Sequence, residues 1–197
     1  MSRNSESHPL SRTETLAALL PDPATPLIVT GLGTACFDAA RLTDDGPNLF
    51  AVDGVMGAAV PVGLGLALAR PDQRVLVLTG DGEILMNLGA LATAATQAPP
   101  NLSVLCVDNA QWALTGGQRT HTGHGTDLAA VAAGCGFPRT AVVRRQPDIA
   151  PAAQMLADGS RLTFVTLELA EDKPDPYPFL RDGTACRIRF QNYVKDL

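Results

Sequence analysis

The sequence predicts an α/β protein, a doubly wound, six-stranded, mainly parallel sheet with helices on both faces. Three observations predict it. Short apolar runs rich in β-branched residues recur along the chain, almost free of charge and proline, as strands buried on both faces require. Stretches with apolar side chains at helical spacing separate these runs. The regular alternation of the two implies crossover connections, and hence parallel neighbours.

Taken in order, the strands are predicted at 27–30, 49–52, 75–79, 103–107, 140–143 and 163–169. Helices are predicted at 13–20, 34–42, 57–69, 83–97, 127–135 and 147–157. The run 83–97 carries Ile84, Leu85, Leu88, Leu91, Ala92 and Ala95 on one helical face. Gly63 and Gly65, inside the third helix, read as packing glycines. Residues 1–10 are polar and predict a disordered tail, and 11–170 a single domain. Beyond Leu169 the character changes: 171–178 is acidic and proline-rich, so 171–197 reads as an extension packed on the domain or on a neighbouring subunit. There Arg187, Arg189 and Lys195 offer charge contacts or are solvated surface charge.

Composition narrows the function classes. A chain of 197 residues with 46% hydrophobic content can bury a full core as one unit. Its net charge of −5 and lack of a basic stripe argue against nucleic acid. No run reaches the about 18 uncharged apolar residues of a membrane helix, and the polar start lacks the apolar stretch of a secretory signal. Cys36, Cys106, Cys135 and Cys186 are scattered, without CxxC or metal-ligand spacing. A cytoplasmic protein is expected.

The informative motif is Gly80-Asp81-Gly82 directly after one predicted strand, answered by Asp108-Asn109 directly after the next. Both fall at carboxyl ends of parallel strands, the edge where open α/β sheets place ligands. Gly80 and Gly82 permit a sharp turn close to an oxyanion, and the N–H groups of the following helix would face that anion. Magnesium takes hard oxygen ligands; Asp81 offers a carboxylate, Asn109 a side-chain carbonyl and Gln111 a backbone carbonyl. Read alone, Asp81 is equally a turn aspartate, and Met56 core filler.

Gly80-Asp81-Gly82 with Asn109 resembles the thiamine diphosphate motif of 2-oxo acid decarboxylases and their relatives. Asp53-Gly54-Val55-Met56-Gly57-Ala58-Ala59 is similar to the segment that cradles the aminopyrimidine ring in that family. Asp108-Asn109 followed by Thr115-Gly116-Gly117-Gln118 resembles phosphonopyruvate decarboxylase and the sulfopyruvate decarboxylase β subunit most. The resemblance covers about residues 26–137.

The resemblance implies a thiamine diphosphate-binding fold holding thiamine diphosphate and magnesium, the metal on Asp81, Asn109 and the Gln111 carbonyl. It implies that Gly31, Gly33, Thr34 and Gly82 approach the diphosphate, and that Gly54 and Met56 shape the ring site. Glu83 borders the diphosphate where the family usually has Ser or Ala, and a carboxylate there would be repelled unless it points outward as a first-turn acid. The loop beyond Asn109 would border substrate, with Gln118 as a hydrogen-bonding group, His121 in proton transfer and Arg119 toward an anionic group. Each is equally an ordinary loop residue. His121 and His124 lack the further ligands a zinc site needs.

The family activates its cofactor with a glutamate from a related pyrimidine domain, and nothing in this sequence resembles that domain. Glu6, Glu14, Glu83, Glu168 and Glu171 have no fitting context. The implied protein is therefore the cofactor-binding subunit of a split decarboxylase, in a hetero-oligomer with a pyrimidine-domain subunit. The substrate would be a small 2-oxo acid, the products an aldehyde and carbon dioxide. A carboligase or oxidoreductase subunit, a non-catalytic cofactor-binding subunit, and a flavodoxin-like module holding another phosphate are the open alternatives.

Overall fold

The computed structural model describes residues 10–170 and 176–197. The expected tail up to Pro9 and residues 171–175 of the acidic run lie outside the described residues.

The chain runs α1 (Arg12–Leu19), β1 (Leu27–Thr30), α2 (Thr34–Thr43), β2 (Leu49–Ala51), α3 (Ala59–Ala69), β3 (Val75–Gly80), α4 (Asp81–Met86), α5 (Gly89–Gln97) and β4 (Leu102–Asp108). A small hairpin, β5 (Gln111–Trp112) and β6 (Gln118–Arg119), and a 3-10 turn (Thr122–His124) follow. The chain closes with α6 (Leu128–Cys135), β7 (Arg139–Val143), α7 (Gln146–Asp158), β8 (Thr163–Glu168) and α8 (Gly183–Lys195).

Six strands form one parallel sheet in the order β2-β1-β3-β4-β8-β7. All six predicted strands are present, and every neighbouring pair is parallel. Because side chains alternate across a strand, the sheet feeds two cores. Leu27, Val29, Val75, Val77, Leu102, Val104 and Phe164 pack against α3, α5, α6 and α8. Ile28, Leu76, Leu78, Leu105, Val107, Val165 and Leu167 pack against α1, α2 and α7. The chain leaves β1 toward β2 on one side, and β3 leads to β4 on the other. The strand order thus reverses between β1 and β3, which opens a crevice beyond their carboxyl ends.

Two expectations are corrected. The helix predicted at 83–97 is broken into α4 and α5, with Asn87 at φ −147°, ψ 59°. Asn87 leaves the helix to donate its side-chain amide to the Gly57 carbonyl at 2.9 Å; with Gly89 two residues on, helix propensity there is too weak to resist. The extension also contains a helix, α8, that sequence patterning did not reveal. Its Phe190 stacks on Phe50 with ring centroids 5.4 Å apart, Cys186 is buried beside Cys36 and Ala51, and Arg189 pairs with Asp45 at 2.9 Å.

The two glycines of α3 behave differently. A methyl group on Gly63 would lie 2.2 Å from Cγ2 of Val77, a fully buried strand residue, so α3 meets the sheet there through bare backbone. Gly65 has nothing within 4 Å of that position and is no packing glycine in this chain. Gly63→Ala is expected to destabilise by about 1–3 kcal/mol through overpacking. Gly65→Ala is expected to stabilise by about 0.5–1 kcal/mol through helix propensity. Urea melts of the two variants returning the same sign would refute this packing account.

Candidate cofactor site

The crevice is a cleft of about 560 Å³ continuous with solvent, lined by residues of four segments. Gly33 and Thr34 come from the β1–α2 turn, Met56 from the loop before α3, Gly80 to Glu83 from the β3–α4 turn, and Asn109 and Gln111 to Thr115 from beyond β4. The folded chain therefore brings Gly33, Thr34, Met56, Gly80, Asp81, Gly82, Glu83, Asn109 and Gln111 to one cleft. Gly33 has φ 113° and precedes the first turn of α2, a left-handed conformation that favours glycine. It aims the start of that ten-residue helix at the cleft. α4 begins on Asp81 itself and has only six residues, so α2 supplies the longer dipole.

Asp81 is buried at the end of β3, with 3% of its surface exposed. Its Oδ2 accepts the Thr120 hydroxyl at 2.6 Å and lies 3.2 Å from the Thr122 hydroxyl. Thr122 lies nearer Asp108 Oδ1, at 2.7 Å. Asp108 also accepts the Ala110 N–H at 2.9 Å, an Asx-type turn that holds Ala110 at φ 59° and turns the chain into the cleft wall. Burial, together with the neighbouring Asp108 charge, pushes the Asp81 carboxyl up to about 6, against the pull of the Thr120 hydroxyl.

This makes a pH prediction. A carboxyl whose folded value lies above its ordinary one binds its proton more tightly folded than unfolded. Its contribution to stability is therefore fully present below about pH 4 and lost as pH rises through about 6. In metal-free buffer, Asp81→Asn, permanently neutral, is expected to be more stable than wild type above pH 6, by up to about 3 kcal/mol. The difference vanishes toward pH 4. Thermal melts with chelator across pH 4–8 read it directly; a pH-independent difference would exclude the buried carboxylate as its cause.

Glu83 is corrected. It does not point outward as a first-turn helix acid: it is 2% exposed and turned into the protein. It accepts the Thr79 hydroxyl at 2.9 Å and the Ala59 N–H at 3.2 Å, tying the β3–α4 turn to the start of α3. Burial pushes its carboxyl up, while those hydrogen bonds pull it back. Its carboxylate lies where a Gly31 side chain would begin, 1.7 Å from that Cβ position. Gly31 is thus the close-approach glycine behind the cleft wall, and its carbonyl accepts the Cys36 thiol at 2.8 Å.

Five predicted residues stand outside the lining. Gly31 lies behind the wall, Gly54 on an exposed loop, Gln118 and Arg119 on exposed β6, and His121 is exposed beside the 3-10 turn. Sequence reasoning, in turn, gave Asp108 and Thr122 no role. No local pattern signals this: His121 stands at φ −63°, ψ −27° and Thr122 opens the 3-10 turn, and that turn buries the threonine while leaving His121 exposed.

The geometry fits a metal-bridged diphosphate. Among the described residues no Lys, Arg or His lines the cleft, whereas Asp81 and Glu83 do, so a bare diphosphate would be repelled. Asp81 and Asn109 offer hard oxygens from the ends of adjacent strands, the chemistry magnesium takes. Gly82 packs under Trp112, whose ring lies 2.4 Å from where its Cβ would stand. Among the described residues, no group of three or more His, Cys, Asp or Glu could hold a metal ion, so the candidate metal set is a mixed carboxylate, amide and backbone one. No helix among them is long and apolar enough to cross a membrane.

Comparison with known proteins agrees. The chain is 42% identical over 111 residues to sulfopyruvate decarboxylase subunit beta of Methanocaldococcus jannaschii, covering 56% of this chain and 58% of that one. It is 38% identical over 160 residues to phosphonopyruvate decarboxylase of Streptomyces viridochromogenes, covering 80% of this chain and 39% of that one. Among solved structures, benzoylformate decarboxylase from Polynucleobacter necessarius has the same fold, with a TM-score of 0.70 at 14% identity over 90% of this chain and 36% of that one. Residues 31–167, well over half the chain, match the family model "Thiamine pyrophosphate enzyme, C-terminal TPP binding domain"; the chain belongs to that family.

Proposed function

We propose that this chain is the cofactor-binding subunit of a split thiamine diphosphate-dependent decarboxylase. It acts on a small 2-oxo acid bearing a second anionic group, of the sulfopyruvate or phosphonopyruvate kind, and releases carbon dioxide and an aldehyde. The observation that carries the reading is the pairing of buried Asp81 with Asn109 at the switch point, in a cleft to which no described residue brings a basic side chain.

In this reading Asp81, Asn109 and the Gln111 carbonyl hold magnesium. Gly31, Gly33, Thr34 and Gly82 frame the diphosphate, while Gly54 and Met56 shape the ring site. When bound, the cofactor supplies the carbanion and the electron sink for decarboxylation. The chain's own part is to bind it, orient it and exclude water.

A partner subunit with the pyrimidine domain supplies the activating glutamate. Glu83 is committed to Thr79 and Ala59, and Glu14 and Glu168 do not line the cleft. Exposed Asp53-Gly54-Val55, with Val55 53% exposed, offers a surface to that partner. Gln118 and His121 then face the substrate side of the assembled site. The free cysteines among the described residues suit a reducing cytoplasm.

The test is to purify the chain gently with magnesium and whatever accompanies it, and weigh the complex by native mass spectrometry. The complex is then given sulfopyruvate or phosphonopyruvate, and the aldehyde is measured. A companion chain, a mass increment for cofactor and metal, and aldehyde formation support the reading. A chain that takes up no thiamine diphosphate even when it is added would end it, and acyloin or acyl-CoA in place of aldehyde would move it to the carboligase or oxidoreductase alternative.

A further inference from the structure

We infer that Arg12, on the N-terminal helix and outside the matched family segment, is a positioning residue for diphosphate binding: it makes the Thr34 hydroxyl an obligate donor toward the cleft. The inference rests on the reading that a diphosphate occupies that cleft.

The geometry is specific. Arg12 opens α1 and is 9% exposed. Its guanidinium lies across α2, where Nε meets both carboxylate oxygens of Asp38 at 3.0 and 3.1 Å and Nη2 meets Oδ2 at 2.7 Å. The same Nη2 donates to the Thr34 hydroxyl at 2.9 Å. Thr34 and Asp38 are one turn apart on α2 and share a face. Thr34 is the first residue of that helix and lines the cleft.

A guanidinium only donates, whereas a hydroxyl carries one proton and two lone pairs. Arg12 therefore occupies a Thr34 lone pair. Among the described residues no acceptor takes the Thr34 proton. The proton is left for an anionic oxygen in the cleft, and the charge-assisted bond behind it strengthens the donor. Asp38 neutralises Arg12 at 2.7 Å, so the effect is local and directional rather than a long-range field.

The test measures thiamine diphosphate affinity with magnesium by calorimetry, on the chain as purified with its partner. Thr34→Val, which keeps the shape and loses the hydroxyl, is expected to weaken binding about tenfold, and Thr34→Ser to restore it. Replacing the ion pair together, Arg12→Met with Asp38→Leu, removes both of its charges at once. It is expected to weaken binding by a similar factor, and adding Thr34→Val to cost little more, because the residues act through one hydrogen bond. The losses are expected to be the same at low and high salt.

Wild-type affinity in Thr34→Val overturns the inference whether or not the ion-pair variant folds. So do fully additive losses, or wild-type binding by a folded ion-pair variant. Failure of the broader reading is distinct: the wild-type chain itself then takes up no cofactor, and both conclusions fall.

Discussion

Asp81→Ala is expected to bind thiamine diphosphate no better with magnesium than without it, with an affinity more than about 100-fold below wild type. Asp81 is the carboxylate of the candidate metal set, and among the described residues no basic side chain lines the cleft to replace a lost cation. The diphosphate would then meet the Glu83 carboxylate without an intervening positive charge. Trp112, the one tryptophan of the sequence, lies against Gly82 and reports occupancy by its fluorescence. Titrating cofactor into variant and wild type, with magnesium and with chelator, decides the matter. A variant that keeps its magnesium dependence would remove Asp81 from the ligand set.

Gly31→Ala is expected to cost about 2–4 kcal/mol of stability and to weaken cofactor binding with it. The added methyl would stand 1.7 Å from the Glu83 carboxylate oxygens. That carboxylate is the end of a flexible side chain, but Thr79 and the Ala59 N–H anchor it. Either the anchor is lost, leaving buried polar groups unpaired, or the β1–α2 turn moves away from the cleft. The double variant Gly31→Ala/Glu83→Ser is expected to cost clearly less than the sum of the two single substitutions, since the smaller side chain vacates the space the methyl needs. Additivity of the two substitutions in denaturant melts would show that the residues do not collide.

The Gly31–Glu83 contact also shows where sequence reading stops. That Glu83 is unusual was legible beside Gly80-Asp81-Gly82. Its direction was not, because local helix rules favour an outward first-turn acid, whereas the backbone N–H of Ala59, 24 residues earlier in the chain, draws it inward. The break at Asn87 has the same origin: apolar periodicity continues across 83–97, and the distant Gly57 carbonyl draws Asn87 out of the helix where Gly89 already weakens it. His121 and Thr122 invert for a related reason. Histidine is the more reactive residue on paper, yet the turn after β6 buries the threonine against Asp81 and Asp108.

The sequence by itself determined the six-stranded α/β sheet and the order of its strands along the chain, because alternation and apolar period are local and repeat within one or two turns. The cleft residues from Gly33 to Gln111 came instead from the family resemblance its motifs carry. The tertiary structure alone decided which face each helix covers, that β1 and β3 flank the crevice, that α8 closes the outer edge on Phe50, and that Arg12 reaches Thr34 from another helix. Those outcomes depend on hydrogen bonds and packing between residues far apart in the chain, whose partners no local pattern names.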